Sequence, residues 1–287
     1  NIRILQIAPR PYDFWSTMCN EGELLEKFNV QLAPIPMPEL TAEMKRVKAE
    51  GVEVPKTVSY CRSCMKIEVT DSELENVAAL KVAMKNLCEK YGCKAVAIQC
   101  WNELQNQIGI MPCAANSLLN EEGIPCVCET DIHGAITALM VEAASLDGKR
   151  SFFADWTVRH PDNENGELLQ HCGPWPISVA REQPAITYPL AFDHPGAVAA
   201  EAKHGQVTLA RFDGDNGEYS LLLGNAKGID GPYTKWFGVG LAAIVLAELL
   251  AFGSWIRVLG ARDRELPFNM GYVYPWWLYF LFTLLMT

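Results

Sequence analysis

Two short apolar runs, separated by a stretch of helix length, constrain this chain more than any other feature. The first is Cys93-Lys-Ala-Val-Ala-Ile-Gln-Cys100, followed by Trp101-Asn-Glu103-Leu. The second is Ile124-Pro-Cys-Val-Cys128, followed by Glu129-Thr-Asp131-Ile-His133-Gly-Ala. Runs this short and this apolar read as buried strands, and Asn106–Glu122 between them reads as a helix. A second helix is expected from Gly134 to Ala144. Strand, helix, strand, helix is the unit of an open α/β sheet, and such sheets bind ligands in the crevice outside the carboxyl ends of their strands.

Glu103 and Asp131 arrive at that edge from equivalent places. A single carboxylate after a strand is often only a helix N-cap, and Asp131 before Ile-His-Gly-Ala suits that role. Two of them, each preceded by cysteine, point instead to a site where carboxylates share a divalent cation or divide acid and base duties. Glu129 would face the same side as Asp131 if the second strand continued through it.

The same α/β alternation extends over residues 1–148. Strands are expected at Ile2–Ala8 and Val30–Ile35, and helices at Thr17–Phe28, Glu39–Glu50 and Asp71–Tyr91. Asp71-Ser-Glu-Leu carries capping chemistry, and Gly92 supplies the stop. The expectation is a doubly wound, mostly parallel sheet. Residues 149–235 change character: Ser151–Val158, Leu168–Cys172, Ala185–Leu190, Val207–Phe212 and Tyr219–Leu223 are short strand-like runs. With the hairpin turn Phe212-Asp-Gly-Asp-Asn-Gly-Glu218 they predict an antiparallel β domain. Residues 236–287 form an apolar tail, expected to be helical. Phe237–Ile256 holds one charge, Glu248, and Met270–Thr287 holds none, so each is long enough to span a bilayer. A membrane hairpin, a buried helix pair and an unrelated sequence joined by a frame or assembly error are the competing readings of that tail.

The formal net charge of −10, with no block of Lys and Arg, argues against nucleic acid as a partner. The ten cysteines include Cys61-Arg-Ser-Cys64, but Cys126-Val-Cys128 has the wrong spacing to complete a zinc site with it. Cys88, Cys93, Cys100, Cys126 and Cys128 sit in or beside apolar runs and read as reduced core thiols of a cytoplasmic protein. No signal peptide is visible, and the chain opens on a strand already under way, which reads as a fragment or a processed product.

Cys100-Trp-Asn-Glu-Leu-Gln and Cys128-Glu-Thr-Asp-Ile-His-Gly-Ala-Ile-Thr resemble the two metal-ligand segments of the L-fucose isomerase and L-arabinose isomerase family. Phe14-Trp-Ser-Thr-Met-Cys-Asn-Glu-Gly-Glu-Leu-Leu25, His171-Cys-Gly-Pro-Trp-Pro176 and Gly228-Ile-Asp-Gly-Pro-Tyr233 look like its fucose-isomerase-like branch. The resemblance covers about residues 2–234. It implies an aldose–ketose isomerase with an enediolate mechanism and Mn²⁺ or another divalent cation. Glu103 and Asp131 would then be metal ligands and the acid/base pair. His171 is a further candidate ligand, since relatives draw a third ligand from a late His-His pair and residues 236–287 contain no histidine. Glu129, His133, Trp15 and Trp101 are candidates for contact with the sugar: His133 by orienting Asp131, the tryptophans, with Trp175, as an apolar wall. The resemblance also implies another α/β domain ahead of Asn1. A small-molecule sugar substrate and a homo-oligomer are expected. A catalytically impaired metal- or sugar-binding homologue and a membrane-tethered scaffold are the alternatives.

Overall fold

A computed structural model describes residues 2–160, 162–189 and 194–230. The apolar tail at 236–287, and the last residues of the expected β domain, lie outside the described residues. Among the described residues, no helix is long and apolar enough to cross a membrane. The chain divides into two compact units, one of Asn1–Thr157 with Leu169–Ile229, the other of Val158–Leu168 with Asp230–Thr287. In the second, the described backbone turns back on itself where His160 N–H donates to Gly166 O at 2.9 Å.

The first unit is built on a four-stranded parallel sheet: β1 (Ile2–Ile7), β2 (Val30–Ile35), β4 (Ala95–Ile98) and β5 (Cys126–Val127), in the order β2-β1-β4-β5. Ile4 pairs with Leu32 on one side and with Ala95 on the other, and Val96 pairs with Cys126. Alternate side chains therefore enter two cores. Leu5, Ile7, Val96 and Ile98 meet Leu40 and Met44 of α2 (Met37–Glu50), Leu80 and Met84 of α4 (Asp71–Lys90), and Leu119 of α6 (Cys113–Glu122). Ile4, Ala97 and Val127 meet Leu24 of α1 (Glu21–Phe28) and Ile132, Ala135 and Ile136 of α7 (Ile132–Ser145). Helices cover both faces, which is why β4 and β5 are apolar on both sides rather than alternating.

Several boundaries differ from the expectation for local reasons. α1 starts at Glu21, not Thr17, because Asn20 caps it: its side chain accepts from Glu23 N–H at 3.2 Å. Thr70, rather than Asp71, caps α4 through a capping box with Glu73. Asn106–Glu122 is not one helix. α5 (Glu103–Ile108) ends at Gly109 with φ of 69°, and α6 begins after Pro112. The intervening backbone turns away to bond a distant segment, Met111 N–H to Pro195 O at 2.7 Å and Ala114 N–H to Gly196 O at 2.6 Å. α3 (Glu53–Cys64) was not expected, as Pro55 in its first turn conceals it.

The later residues add antiparallel strands. β8 (Ala185–Thr187) pairs antiparallel with β9 (Ala197–Ala199) and parallel with β3 (Lys66–Ile67). β10 (Gly205–Asp215) and β11 (Glu218–Gly228) form a long hairpin closed by Asn216-Gly217, both at positive φ, the backbone such a two-residue turn demands. The hairpin docks on α7 through Phe212 N–H to Thr137 Oγ1 at 2.9 Å, and on α1 through Tyr219 OH to Glu23 Oε2 at 2.8 Å.

Candidate metal centre at the carboxyl edge of the sheet

β5 stops at Val127, so Glu129 does not gain its direction from a continuing strand. Instead Glu129 and Thr130 both take the left-handed conformation, with φ of 60° and 53°. Each costs a non-glycine residue about 1 kcal/mol or more, so the turn persists only because it is pinned. Thr130 N–H donates to Ile98 O at 3.1 Å, Asp131 N–H to Cys128 O at 3.1 Å, and Thr17 Oγ1 to Glu129 O at 3.3 Å. The last bond brings the loop after β1 against the loop after β5, at the sheet edge where ligands are expected.

Glu129 points from this turn toward His171, whose Nε2 lies 3.4 Å from Glu129 Oε1 and 3.8 Å from Asp155 Oδ2. Asp155 is the first residue of β6 (Asp155–Arg159), and His171 follows the last residue of β7 (Glu167–Gln170). The three donor atoms lie within 4.8 Å of one another. Around an ion with bonds of about 2.1 Å, neighbouring donors would be ~3 Å apart and opposite ones ~4.2 Å, so the spacing fits a divalent cation. Two carboxylates with one imidazole is also a fitting donor set for Mn²⁺-type ions. Glu129 and His171 are buried, while the Asp155 side chain is 55% exposed and forms the open side of the group.

The electrostatics are those of a place that attracts positive charge. Burial alone would lower His171, but hydrogen bonds to Cys172 and Glu129 and the charge of Asp155 outweigh it and lift the imidazole to about 10. Burial raises Asp155, His171 pulls it down, and the carboxylates of Glu129 and Asp131 push it up again. A bound cation would displace the imidazole proton and answer the same carboxylates.

Asp131 lies beside this group and is 3% exposed. It caps α7, accepting from Gly134 N–H at 2.9 Å, and its other oxygen is paired with Arg211 of β10. Glu103, by contrast, is exposed at the first turn of α5, where it accepts from Gln107 of the same helix. The cluster of Glu129, Asp155 and His171 includes neither Glu103 nor Asp131. His133 is buried against Phe212 and Tyr219, with Nδ1 2.9 Å from Asp213 Oδ1 but not aligned for a hydrogen bond. Trp15 and Trp101 are both exposed, on the loops after β1 and β4. Trp15 lies under the Arg10 guanidinium at 4.8 Å, and Trp101 packs edge-on against Phe14. Trp175 is buried in the core beside Phe152.

Asp155, Arg211 and Asp213 were not anticipated. Asp155 is a lone acid inside an apolar run and His171 is sixteen positions later, so no local spacing links them.

Fold and site together define an α/β protein with a candidate carboxylate–imidazole cation centre at the carboxyl edge of its parallel sheet. The chain matches no protein-family profile. It is similar to the sulfoquinovose isomerase of Alkalicoccus urumqiensis, with 27% identity over 242 residues, covering 81% of this chain and 52% of that protein. The sulfoquinovose isomerase of Priestia aryabhattai is 26% identical over 240 residues, with the same coverages. That of a Clostridium species is 28% identical over 194 residues, covering 63% of this chain and 40% of the relative. The chain thus spans about half the length of the curated relatives it matches.

Proposed function

We propose that this chain carries the metal-binding part of a sugar isomerase that interconverts an aldose and its ketose, acting on a sulfonated aldohexose of the sulfoquinovose type. The grouping of Glu129, Asp155 and His171 at the sheet edge is the observation that carries the reading, and the names of the similar proteins supply the reaction class. Glu129, Asp155 and His171 would hold the cation, with Mn²⁺ as the candidate. When bound, such an ion supplies charge stabilisation for the two sugar oxygens as the proton moves between C2 and C1. Asp131, beside the group, is the candidate to take the C2 proton and return it at C1. Its Gly134 N–H bond fixes one oxygen, and Arg211 must yield the other to substrate. Glu103 is the candidate second acid/base group; to serve, it turns from Gln107 toward the cleft. Trp15 and Trp101 offer apolar surface to the sugar from neighbouring loops, whereas Glu129 faces the cation group and His133 is buried against Phe212 and Tyr219.

The full-length protein, loaded with Mn²⁺ in D₂O, should exchange the C2 hydrogen of sulfoquinovose and form its 2-ketose, both lost on chelation. Proton NMR reads both events. Turnover of L-fucose or L-arabinose in place of sulfoquinovose would move the substrate to the fucose and arabinose isomerase class; exchange that survives chelation sinks the metal-assisted reading. Binding without turnover is a second reading, favoured by one observation: Asp131 and Glu103 are both engaged by protein partners. Mn²⁺ binding with sugar-induced thermal stabilisation, but no exchange, would select it.

A further inference from the structure

The isomerase reading leaves the cysteines without a task, yet two of them lie in an unusual relation. Cys113 Sγ is 3.2 Å from Cys172 Sγ although the residues are 59 positions apart. The approach is built into the backbone. Gly173 rests directly on Cys113, where an added Cβ would fall 2.2 Å from the Cys113 Cβ and 2.3 Å from its Cα. The surrounding segments are tied together as well: Val198 N–H donates to Cys172 O at 2.9 Å, and Ala114 N–H donates to Gly196 O. Cys113 is the buried first residue of α6, and Cys172 is partly exposed on the loop after β7.

The Cys113 thiol is drawn down to about 6, because Cys128 and Cys172 hydrogen-bond its sulfur, against the opposing effect of burial. The first turn of a helix favours a thiolate in the same sense. Cys61 and Cys64 behave oppositely. Despite their CxxC spacing both thiols are pushed up by burial, Cys61 to about 12, and Cys64 Sγ is spent on Tyr60 O at 3.2 Å.

We propose that Cys113 and Cys172 are an oxidisable dithiol that closes to a disulfide when the protein meets a hydroperoxide. The Cys113 thiolate attacks one oxygen of hydrogen peroxide, the O–O bond breaks, and hydroxide leaves, so that Cys113 becomes a sulfenic acid. The Cys172 sulfur then attacks the Cys113 sulfur; the S–S bond forms, the S–O bond breaks, and the oxygen departs with the Cys172 proton as water. Two electrons pass from the thiols to the peroxide. Closing from 3.2 Å to a bond of about 2.05 Å moves the sulfurs by ~1 Å. Cys113 is held in a helix, so the loop moves, and His171 is the residue next to Cys172. Oxidation therefore displaces His171 from Glu129 and Asp155, a consequence that rests on the metal-centre reading, whereas the disulfide does not.

The full-length protein is treated with graded hydrogen peroxide, its remaining free thiols are alkylated, and its peptides are mapped by mass spectrometry without reductant. A Cys113–Cys172 cross-link is expected while Cys61 and Cys64 still alkylate, with both thiols recovered in dithiothreitol. In C172S, dimedone should trap a sulfenic acid at Cys113. Cys113 and Cys172 both remaining alkylatable, or Cys113 linking to Cys128 instead, overturns the proposal. The oxidised wild type should bind Mn²⁺ at least 10-fold more weakly than the reduced form; equal affinities overturn the coupling to His171. The peptide map needs no isomerase activity, so it fails or succeeds independently of the proposed reaction.

Discussion

The ends of β4 and β5 carry the same short pattern, a cysteine followed three positions later by an acid, and the tertiary structure treats them differently. After β4, Glu103 stays exposed and finds its partner, Gln107, within its own helix. After β5, Glu129 and Asp131 are buried, and their partners come from far along the chain: Thr17, His171 and Arg211. A strand-end carboxylate becomes part of a donor cluster only where other segments deliver groups that need its charge. An exposed carboxylate is answered by water, whereas a buried one must be paired or hydrogen-bonded.

The largest effects should separate the two ends outright. Glu129→Gln and His171→Asn, made in the full-length protein, should each weaken Mn²⁺ binding by more than the roughly 10–100-fold that outer partners of a metal are worth. Glu103→Gln should leave it within about twofold. Titration calorimetry with Mn²⁺ would decide, and a comparable loss in Glu103→Gln would show that the ion belongs to the β4 end.

Asp131→Ala comes next. It removes a helix cap worth about 1 kcal/mol and takes from Arg211 its buried carboxylate partner, leaving the half-exposed Asp213 at 3.3 Å. Breaking a fully buried pair costs about 3–5 kcal/mol, but Arg211 is one-third exposed, so a total loss of about 2–4 kcal/mol is expected in urea unfolding. A loss no larger than that of an exposed substitution would mean that the β5 end is as loosely held as the β4 end.

Gly134→Ala tests how tightly the β5 turn is packed. In an open helix the change stabilises by up to about 1 kcal/mol. Here a Cβ would come 2.6 Å from the Phe153 ring and 2.7 Å from Asp131 Oδ2, so destabilisation by about 1–3 kcal/mol is expected instead. A rise in Tm would contradict that geometry.

The smallest effect belongs to the scaffold and calibrates the others. Burial raises Glu122, but Lys81 and Lys85 outweigh it and its carboxyl sits below the usual range. A lowered folded-state pKa contributes stability above the unfolded value of about 4.3, which is lost as pH falls through the folded value. Glu122 is more than one-third exposed, so solvent screening limits this to under about 1 kcal/mol. Glu122→Gln should flatten the acid limb of stability by that amount without touching Mn²⁺ affinity; an unchanged acid limb would remove the pair from the account.

Local chemistry carried much of the first 148 residues into the sequence. The four parallel strands, α2, α4 and α7 follow from short apolar runs, capping residues and glycine stops, all of which act within a few positions. The break between α5 and α6 and the existence of α3 were less legible. The first depends on backbone bonds to Pro195 and Gly196, and the second is masked by Val54-Pro55, a dipeptide that reads as extended, although Val54, Thr57 and Cys61 form a buried face at helical spacing.

The candidate site divides along the same line. Strand burial and strand ends are set by neighbouring residues, so acids at the carboxyl ends of two buried strands could be read directly from the chain. It also supplied Glu129, Asp131 and His171 as candidates. Which of them meet depends on how the chain folds. The left-handed turn at Glu129 and Thr130, the arrival of Asp155 and His171, and the pairing of Arg211 with Asp131 all depend on contacts 16 to 112 positions apart. Such encounters leave no periodicity in a sequence, since chain separation places no limit on which buried charges must find one another once the core has closed.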